Sequence, residues 1–368
     1  MSGWGMRSGR VPPAFVLLAA VVALGGFWVA RVSAPDEVSL LPYNDAQIEA
    51  AELMRRCTEV IRDHRLRLGL PIDRELDPNE TGLIGDEFTD ITTSVGNLEA
   101  KRTATNPAFA ALMVRYFEEA GLRPGDVIAV GASGSFPALI IATLSAARAL
   151  DLEPITIYSI GASMYGATLP DFTFVDMLAL LNQERVLPYA LAAVSLGGDR
   201  DAGEGTLFVD GKRVMEEIAR RAGVQVIRED TVEGSIRRRL EVYGALAAGR
   251  PIRCFVNLGG ATPNYGNTLS SLEFPNGLVM RPPIMSAAPD RGLIFEFSAA
   301  GVPVINLLDV RGLALRHGLP VDPVPLPPIG EGRVYETAGY SPAAAAVALI
   351  LGCAVLCMGA VVGASRGR

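Results

Sequence analysis

The hydropathy of the chain divides it into three parts. Two stretches without a charged residue, 11–30 and 343–364, bracket a long segment in which apolar and polar positions alternate. Each stretch has about the ~20 residues that a helix needs to cross the hydrocarbon core of a bilayer. We therefore predict transmembrane helices at 11–31 and 341–364, with a folded domain between them.

Charges beside the two stretches predict their orientation. Arg7 and Arg10 precede the first stretch, and Arg366 and Arg368 follow the second. Positive residues next to a span tend to stay in the cytoplasm. We therefore expect a protein of the cytoplasmic membrane with two spans, both termini cytoplasmic and the main domain extracytoplasmic.

A cleaved signal peptide is the alternative for the first stretch. Residues 32–34 (VSA) resemble a small-residue cleavage site. However, Pro35 follows directly, and the apolar run exceeds the usual ~7–15 residues of a signal peptide. We favour a retained anchor.

The second stretch has its own start signal and a small-residue pattern. Ser341 precedes Pro342, and proline is favoured in the first turn of a helix. Gly359 and Gly363 lie four residues apart, a spacing that lets helix backbones approach closely. This predicts contact with the first span or with a partner, although such residues are also common in spans without one.

Between the stretches the periodicity predicts an α/β fold. Residues 44–68 have the pattern of one long helix, and 73–105 have the turn-rich composition of an irregular segment. Further helices are predicted at 106–121, 136–150, 172–183, 211–223, 231–248 and 291–300, and strands at 126–130, 155–160, 190–196, 224–228, 252–258 and 302–308. Strands alternating with helices imply right-handed crossovers and a mainly parallel sheet.

The domain organisation follows from these elements. We expect a cytoplasmic N-terminus at 1–10, a linker with a helical and irregular part at 32–105, an α/β core at 106–319, a return segment at 320–340 and a cytoplasmic tail at 365–368. Five prolines lie within 320–328. Proline is excluded from helix interiors and central strands, so this segment is predicted to connect stiffly back to the membrane.

Charge restricts the class of partner. The chain has a formal net charge of −7, and five arginines but no acidic residue lie outside 32–340, which leaves −12 for the middle part. An acidic domain argues against nucleic acid as a partner. It does not exclude an anionic ligand, because helix N-termini and local arginines can bind one.

Lysine and cysteine are rare in the middle part. The chain has Lys101 and Lys212 against 31 arginines. Coding bias explains most of this, but arginine cannot replace a compact or deprotonatable amine, so a retained lysine is informative. Cys57 and Cys254 show no metal-type spacing. A disulfide is compatible with an extracytoplasmic location, and a buried free thiol is the favoured alternative at Cys254.

Glycine- and hydroxyl-rich segments follow four predicted strands: 131–135 (GASGS), 161–166 (GASMYG), 197–203 (GGDRDAG) and 259–264 (GGATPN). In an open parallel sheet, ligands bind outside the carboxyl ends of the strands, and glycine lets backbone N–H groups approach an anion. The predicted ligand-binding residues are Gly131, Gly134, Ser135, Ser163, Thr168, Gly197, Gly198, Asp199, Asn257, Gly259 and Gly260, with Arg102 beside them. Tight strand-to-helix turns that need glycine are the alternative explanation.

Ser133 is the candidate nucleophile. It follows a strand in a context similar to the nucleophile elbow of hydrolases, except that Ser135 replaces the last glycine. A serine nucleophile needs a base, and the domain offers His64, His317 and Lys101. The catalytic hypothesis pairs Ser133 with Lys101 in a serine-dependent hydrolase or transferase. An anion-binding loop and a plain turn remain open.

Two charged clusters also have alternative interpretations. Asp199, Asp201 and Glu204 have the oxygen ligands that a hard cation prefers, but such acids commonly only solvate a turn. We therefore predict no metal and no cofactor. Lys101 and Arg102 form the densest basic spot before the first crossover, which fits either polyanion recognition or a surface pair.

Several strings together resemble a known family. They are NLEAKRT at 97–103, VGASGSFPAL at 130–139, SIGASMYGAT at 159–168, NLGG at 257–260 and GVPVINLL at 301–308. This pattern resembles the poly-gamma-glutamate system protein family, bacterial membrane proteins associated with poly-gamma-glutamate synthase components. The chain departs from the family pattern at Asn306, where we expect histidine.

The resemblance implies an accessory role in the cell envelope. The chain would help to make, export or retain the capsule polymer poly-gamma-glutamate, with the synthase membrane components and the anionic polymer as partners. The alternative is a serine-type hydrolase or transferase acting on γ-glutamyl or other cell-envelope polymers.

Overall fold

The computed structural model describes residues 11–32, 40–282, 285–336 and 342–365. Its helices are α1 (Pro13–Val32), α2 (Asn44–Arg67), α3 (Leu98–Ala104), α4 (Ala108–Glu119), α5 (Pro137–Ala149), α6 (Phe174–Gln183), α7 (Gly211–Arg221), α8 (Val232–Ala247), α9 (Thr262–Tyr265), α10 (Leu269–Leu272), α11 (Leu293–Ala299), α12 (Val310–His317) and α13 (Pro342–Ser365). Its strands are β1 (Thr92–Ser94), β2 (Val127–Ser133), β3 (Glu153–Ser159), β4 (Ala162–Ser163), β5 (Leu191–Ser195), β6 (Gln225–Ile227), β7 (Ile252–Leu258), β8 (Gly277–Val279) and β9 (Val304–Leu307).

The chain forms two units. A terminal unit combines Met1–Leu41 with Glu336–Arg368, and a central unit spans Pro42–Tyr335. Some predicted features lie outside the described residues: the flanking arginines Arg7, Arg10, Arg366 and Arg368, the cleavage-like sequence from Ser33 onward, and the start signal Ser341.

The terminal unit pairs the two apolar helices predicted from the hydropathy. Within α1 and α13, Pro13–Ala30 and Ala343–Gly363 are long and apolar enough to cross a membrane. The helices contact each other through small residues, because a Cβ added at Gly26 would lie 2.1 Å from the Cβ of Ala348. At Gly359 an added Cβ would lie 2.7 Å from the Cβ of Phe15. The predicted contact of Gly359 is therefore made with the first span.

The central unit is built on a seven-stranded sheet in the order β6-β5-β3-β2-β7-β9-β8. Neighbouring strands are parallel, except that β8 pairs antiparallel with β9 at the edge. The first strand of this sheet in chain order is β2. From β2 the chain runs outward through β3 and β5 to the edge strand β6, and it then returns to β7 on the other side of β2. The predicted mainly parallel α/β fold is confirmed. The reversal between β2 and β7 places a crevice at the carboxyl ends of these strands.

Helices cover both faces of the sheet. Successive side chains of a strand point to opposite faces. Along β2, Ile128 and Val130 join a core formed with α2, α4 and α5, while Val127 and Ala129 join a second core formed with α8 and α11. Burial on both faces explains why the strands read as nearly continuous apolar runs.

The segment 73–105 is more ordered than its composition predicts, and this expectation was wrong in part. It contains β1, which pairs with β4 in a separate two-stranded sheet, and α3, which is capped by Asn97 through its side-chain oxygen. Elements this short show no period, so hydropathy does not detect them. The helices and strands predicted between 106 and 308 are all present, with ends shifted by up to three residues.

The Pro-rich segment has neither helix nor strand, and it packs against the central unit. The Asn79 side chain donates to the carbonyl of Pro323 over 2.8 Å, and Gln47 donates to the carbonyl of Val334 over 3.0 Å. Val334 and Tyr335 are fully buried. The chain up to Tyr335 thus belongs to the folded unit.

The two cysteines of the central unit are separate free thiols. Cys57 and Cys254 are both buried and unpaired, so the predicted free thiol at Cys254 is confirmed. Burial raises the pKa of Cys57 to about 12, which makes this thiol a poor nucleophile.

Candidate functional site

A cavity of about 330 Å³ lies at the carboxyl edge of the sheet. It is lined by residues of the loops that follow β2, β3, β5, β7 and β9, together with the segment 93–97 and Lys101 of α3. All four glycine-rich segments recognised in the sequence contribute to its wall. Their convergence follows from the parallel sheet, because carboxyl ends of parallel strands share one edge.

Three neighbouring strands end in serine at this edge. Ser133 of β2 is in register with Ser159 of β3, and Ser159 is in register with Ser195 of β5. Ser133 and Ser159 line the cavity, as do Ser135 and Ser163 from the two following loops. The cavity therefore has a wall rich in hydroxyl groups.

Lys101 contributes a buried amine to the cavity. Only 3% of the residue is exposed, yet Lys101 makes no ion pair with any carboxylate in the described part of the chain. Its Nζ donates to the carbonyl of Ser135 and, over 2.7 Å, to the hydroxyl of Ser163. It also lies 4.0 Å from the ring centroid of Phe136.

The environment of Lys101 favours its neutral form. Burial of the amine away from water lowers the pKa of Lys101 to about 7, because desolvation penalises the ammonium and no carboxylate offsets it. The aromatic face of Phe136 attracts a cation, but this contact does not outweigh desolvation. Lys101 can therefore accept a proton near neutral pH.

Ser133 has a different set of partners. Its hydroxyl accepts the N–H of Ser135 over 3.1 Å, and 3% of the residue is exposed. Gly259, at φ +85°, lies against it, since an added Cβ would come within 3.1 Å of Ser133 Oγ. Among the described residues Lys101 donates to Ser163 and not to Ser133. The pair proposed from the sequence is thus in one cavity but without a direct hydrogen bond.

The two histidines lie away from the cavity. His64 packs against the ring of Phe172, with centroids 5.5 Å apart. His317 shares a 2.7 Å hydrogen bond with the hydroxyl of Tyr116, and burial lowers the pKa of His317 to about 4. Neither lines the cavity, so of the three candidate bases named from the sequence only Lys101 lies in it.

The loop after β5 is held by an ion pair that the sequence pattern did not reveal. Asp201, at φ +64°, lies 3.2 Å from Arg239 of α8, and both side chains are buried. Arg239 also donates to the hydroxyls of Ser159 and Ser195 over 2.9 and 2.8 Å. Arg239 is one of 31 arginines in the chain, and nothing in the sequence around it sets it apart. Its ion pair with Asp201 could therefore not be predicted.

This ion pair also explains the acidic cluster. Asp201 is committed to Arg239, and Glu204 pairs with Arg200 at the surface. Asp199 lines the cavity without either of them. Within the described ranges no group of three or more His, Cys, Asp or Glu residues could hold a metal ion.

Two predicted ligand-binding residues of the strands make structural contacts with neighbouring elements. Gly131 must lack a side chain, because an added Cβ would lie 2.6 Å from the Asn264 side chain. Asn257 donates to Asn306 over 2.9 Å, and both are fully buried. The asparagine found in place of the expected histidine is therefore part of an amide pair between β7 and β9.

Four other predicted ligand-binding residues, Gly134, Gly259, Thr168 and Arg102, do not line the cavity. The Thr168 hydroxyl donates to the carbonyl of Asp86 over 2.9 Å. Arg102 forms an ion pair with Asp322 of the Pro-rich segment. Because no arginine lines the cavity, Lys101 and Asp199 are the charged residues among its described lining. Gathered basic residues, which a polyanion would need, are not found there.

Comparisons of the chain with protein-family models, with curated proteins and with solved structures found no match.

Proposed function

We propose that the cavity is the active site of a serine-dependent hydrolase or transferase that cleaves or transfers an acyl group. The single observation that carries this proposal is the hydrogen bond of 2.7 Å between the amine of Lys101 and a serine hydroxyl. A serine becomes a nucleophile when a positioned base takes its proton. The base works best when its pKa is near the working pH, as it is for Lys101.

The burial of Lys101 favours this role over simple binding of an anionic polymer. A site for a polyanion uses several exposed, permanently charged groups, as arginine provides. Lys101 is instead buried and alone, and Arg102 beside it is paired with Asp322.

The substrate and location of the proposed enzyme come from the sequence. The resemblance to the poly-gamma-glutamate system family supports γ-glutamyl or other cell-envelope polymers as substrates. The two apolar helices support attachment to the cytoplasmic membrane. The positive residues at both ends support cytoplasmic termini and an extracytoplasmic central unit. The acidic middle part supports partners other than nucleic acid.

The test compares lysine variants of the full-length protein in detergent. Lys101→Met should lower the hydrolysis of a chromogenic acyl ester about 100-fold or more, since a general base typically contributes 10²–10⁴-fold. Lys212→Met is the matched control, because Lys212 is exposed and lies outside the cavity. Unchanged hydrolysis in Lys101→Met would refute the proposal. Release of glutamate from poly-gamma-glutamate by the same samples tests the substrate.

The second candidate is a non-catalytic accessory subunit of poly-gamma-glutamate synthesis and export, which handles the polymer or assembles the synthase. A groove of about 620 Å³ between α1 and α13 favours it. The groove is lined by small residues such as Ala19, Ala23 and Gly352 together with Phe27 and Leu349, a surface that suits close packing of another helix.

This second candidate is tested through the spans. Both α1 and α13 are replaced by unrelated apolar helices of equal length, and the synthase components are recovered from membranes with the chain. Loss of co-purification and of polymer output is expected if the spans assemble the complex. Equal recovery and output with the foreign spans would exclude this role.

A further inference from the structure

Five serines line the cavity, namely Ser94, Ser133, Ser135, Ser159 and Ser163. The hydrogen-bond partners of the last four distinguish them. The hydroxyl of Ser159 accepts from Arg239 over 2.9 Å and is thereby tied to the buried ion pair. The hydroxyl of Ser135 accepts the N–H of Ser163 over 3.0 Å, and that of Ser133 accepts the N–H of Ser135. Each of these three hydroxyls is thus hydrogen-bonded to a backbone N–H or to the buried Arg239. Among the described residues none of the three is hydrogen-bonded to Lys101.

Ser163 is the serine that contacts the base. Its Oγ lies 2.7 Å from Lys101 Nζ, within the 2.6–3.2 Å over which a base takes a proton from its nucleophile. Its backbone is fixed separately by the hydroxyl of Ser135. The hydroxyl of Ser163 is therefore held by the amine alone among the described residues and is free to turn toward a substrate.

The neighbouring elements position this pair from two sides. Ser163 belongs to β4, where it is in register with Ser94 of β1, and Met164 donates to the Ser94 carbonyl over 3.0 Å. The chain then continues through Gly96, whose missing side chain allows contact with the Met164 carbonyl. Asn97 caps the helix that carries Lys101. One continuous segment, 92–101, thus holds the base and the strand that bears the serine.

We infer that Ser163, rather than Ser133, is the nucleophile, with Lys101 as its general base and with an acyl amide or ester as the substrate. This inference rests on the proposed function and assigns its reacting atom. The loop containing Ser133 then serves to position Ser135, whose hydroxyl fixes the backbone of Ser163.

The first half-reaction transfers the acyl group to the enzyme. Ser163 Oγ forms a bond to the carbonyl carbon while its proton passes to the neutral amine of Lys101, and the carbonyl electron pair moves to oxygen. When this pair returns, the bond from carbon to the leaving nitrogen or oxygen breaks. The resulting ammonium of Lys101 gives its proton to the leaving group, which departs as an amine or alcohol.

The second half-reaction regenerates the enzyme. Water, or an acceptor amine in a transferase, attacks the acyl ester on Ser163 and gives a proton to Lys101. The ester bond then breaks, and Lys101 returns that proton to Ser163 Oγ. Both half-reactions balance without a metal, an oxidant or a further co-reactant.

The test maps the serine that reacts with a fluorophosphonate probe. Full-length protein in detergent is incubated with the probe, digested, and the modified peptide is identified by mass spectrometry. We expect the label on Ser163, a loss of at least about 100-fold in labelling rate for Lys101→Met and Ser163→Ala, and unchanged labelling of Ser163 in Lys212→Met, whose lysine is exposed and outside the cavity. Mapping in the unaltered chain does not depend on any variant folding.

The outcomes separate the inference from the proposed function. A label on Ser133 overturns the assignment of Ser163 and leaves the serine-dependent enzyme intact. A label on no cavity serine, together with no ester hydrolysis, overturns both. Ser163→Cys gives a second measurement, because Lys101 beside the new thiol should accelerate its alkylation by iodoacetamide, and equal alkylation with and without Lys101 would contradict the pairing.

Discussion

Arg239 and Asp201 form a buried ion pair next to the cavity, with Nη1 of the arginine 3.2 Å from Oδ2 of the carboxylate. The hydroxyls of Ser235 and Ser195 donate to the same carboxylate over 2.7 and 2.6 Å, and Arg239 donates to Ser159 over 2.9 Å. The pair thus ties the glycine-rich loop after β5 to α8 and to the end of β3. Its hydrogen bonds make it a structural support of one cavity wall.

Removing one charge of this pair should destabilise the fold. Asp201→Asn keeps the shape of the side chain and tolerates the positive φ of this position, but it leaves Arg239 as an uncompensated buried charge. Breaking a buried pair in this way costs about 3–5 kcal/mol in the free energy of unfolding. The measurement is denaturant-induced unfolding of the full-length protein in detergent.

The control uses a carboxylate of the same loop. Glu204 pairs with Arg200 at the surface, where solvent screens the pair, so Glu204→Gln should leave the free energy of unfolding nearly unchanged. Equal losses in Asp201→Asn and Glu204→Gln would show that the buried pair does not support the loop.

The pH dependence of acylation should report the amine of Lys101. Burial lowers the pKa of Lys101 to about 7, and a base accepts a proton only in its neutral form. The rate of fluorophosphonate labelling should therefore rise as pH increases through about 7 and reach a plateau above it. The measurement is the labelling rate at intervals of about half a pH unit between roughly pH 5 and pH 9.

A lysine-to-arginine variant provides the comparison for this profile. Lys101→Arg keeps a positive charge, but a guanidinium does not deprotonate in this range, so labelling should stay low at every pH. A midpoint near the ordinary lysine value in the unaltered protein would contradict the role of a desolvated amine.

The same burial should make Lys101 lower the free energy of unfolding. Its pKa is lower in the folded state than the ordinary value of 10.5, so the unfolded chain binds more protons between about 7 and 10 and stability rises with pH in that window. Below pH 7 the folded state carries the full desolvation penalty. Lys101→Met removes that penalty but also loses two hydrogen bonds.

We therefore expect Lys101→Met to raise the free energy of unfolding by about 1–3 kcal/mol at pH 6, with a gain that shrinks as pH rises toward 10. Thermal unfolding across this pH range checks the expectation. Lys212→Met, at an exposed position, should show no such trend. A variant at Lys101 that is less stable at all pH values would indicate that its hydrogen bonds outweigh desolvation.

The placement of the cavity could be predicted from the sequence, whereas the contact between Lys101 and Ser163 could not. Parallel strands brought the glycine-rich loops to one edge, because that follows from the alternation of helices and strands. The contact of Lys101 with Ser163 depends instead on α3 and on the pairing of β1 with β4. These elements have too few residues to show a period, and Ser133 stood out only because it lies in a familiar motif.

Rarity of a residue type was the signal in the sequence that pointed to Lys101. Lys101 is one of two lysines beside 31 arginines, and in the structure its compact amine is buried and hydrogen-bonded to Ser135 and Ser163. Arg239 had no comparable signal. Its function arises from a partner 38 residues away in the chain, which only the folded structure brings into contact.

The packing of α1 on α13 should depend on Gly359. An isoleucine there would place its Cβ 2.7 Å from the Cβ of Phe15, so the helices must separate, and overpacking of this kind typically costs about 1–3 kcal/mol. Gly352→Ile is the matched control, because an added Cβ at Gly352 meets nothing within 4 Å.

The measurement is the distance between spin labels on cysteines placed at Leu17 of α1 and Val361 of α13, which are both exposed, in a chain whose Cys353 and Cys357 are changed to serine. The distance should stay the same with Gly352→Ile and increase with Gly359→Ile, because the new side chain at 359 meets Phe15. An unchanged distance with Gly359→Ile would show that the helix pair tolerates a side chain at this position, and that the close approach at Gly359 does not hold the two helices together.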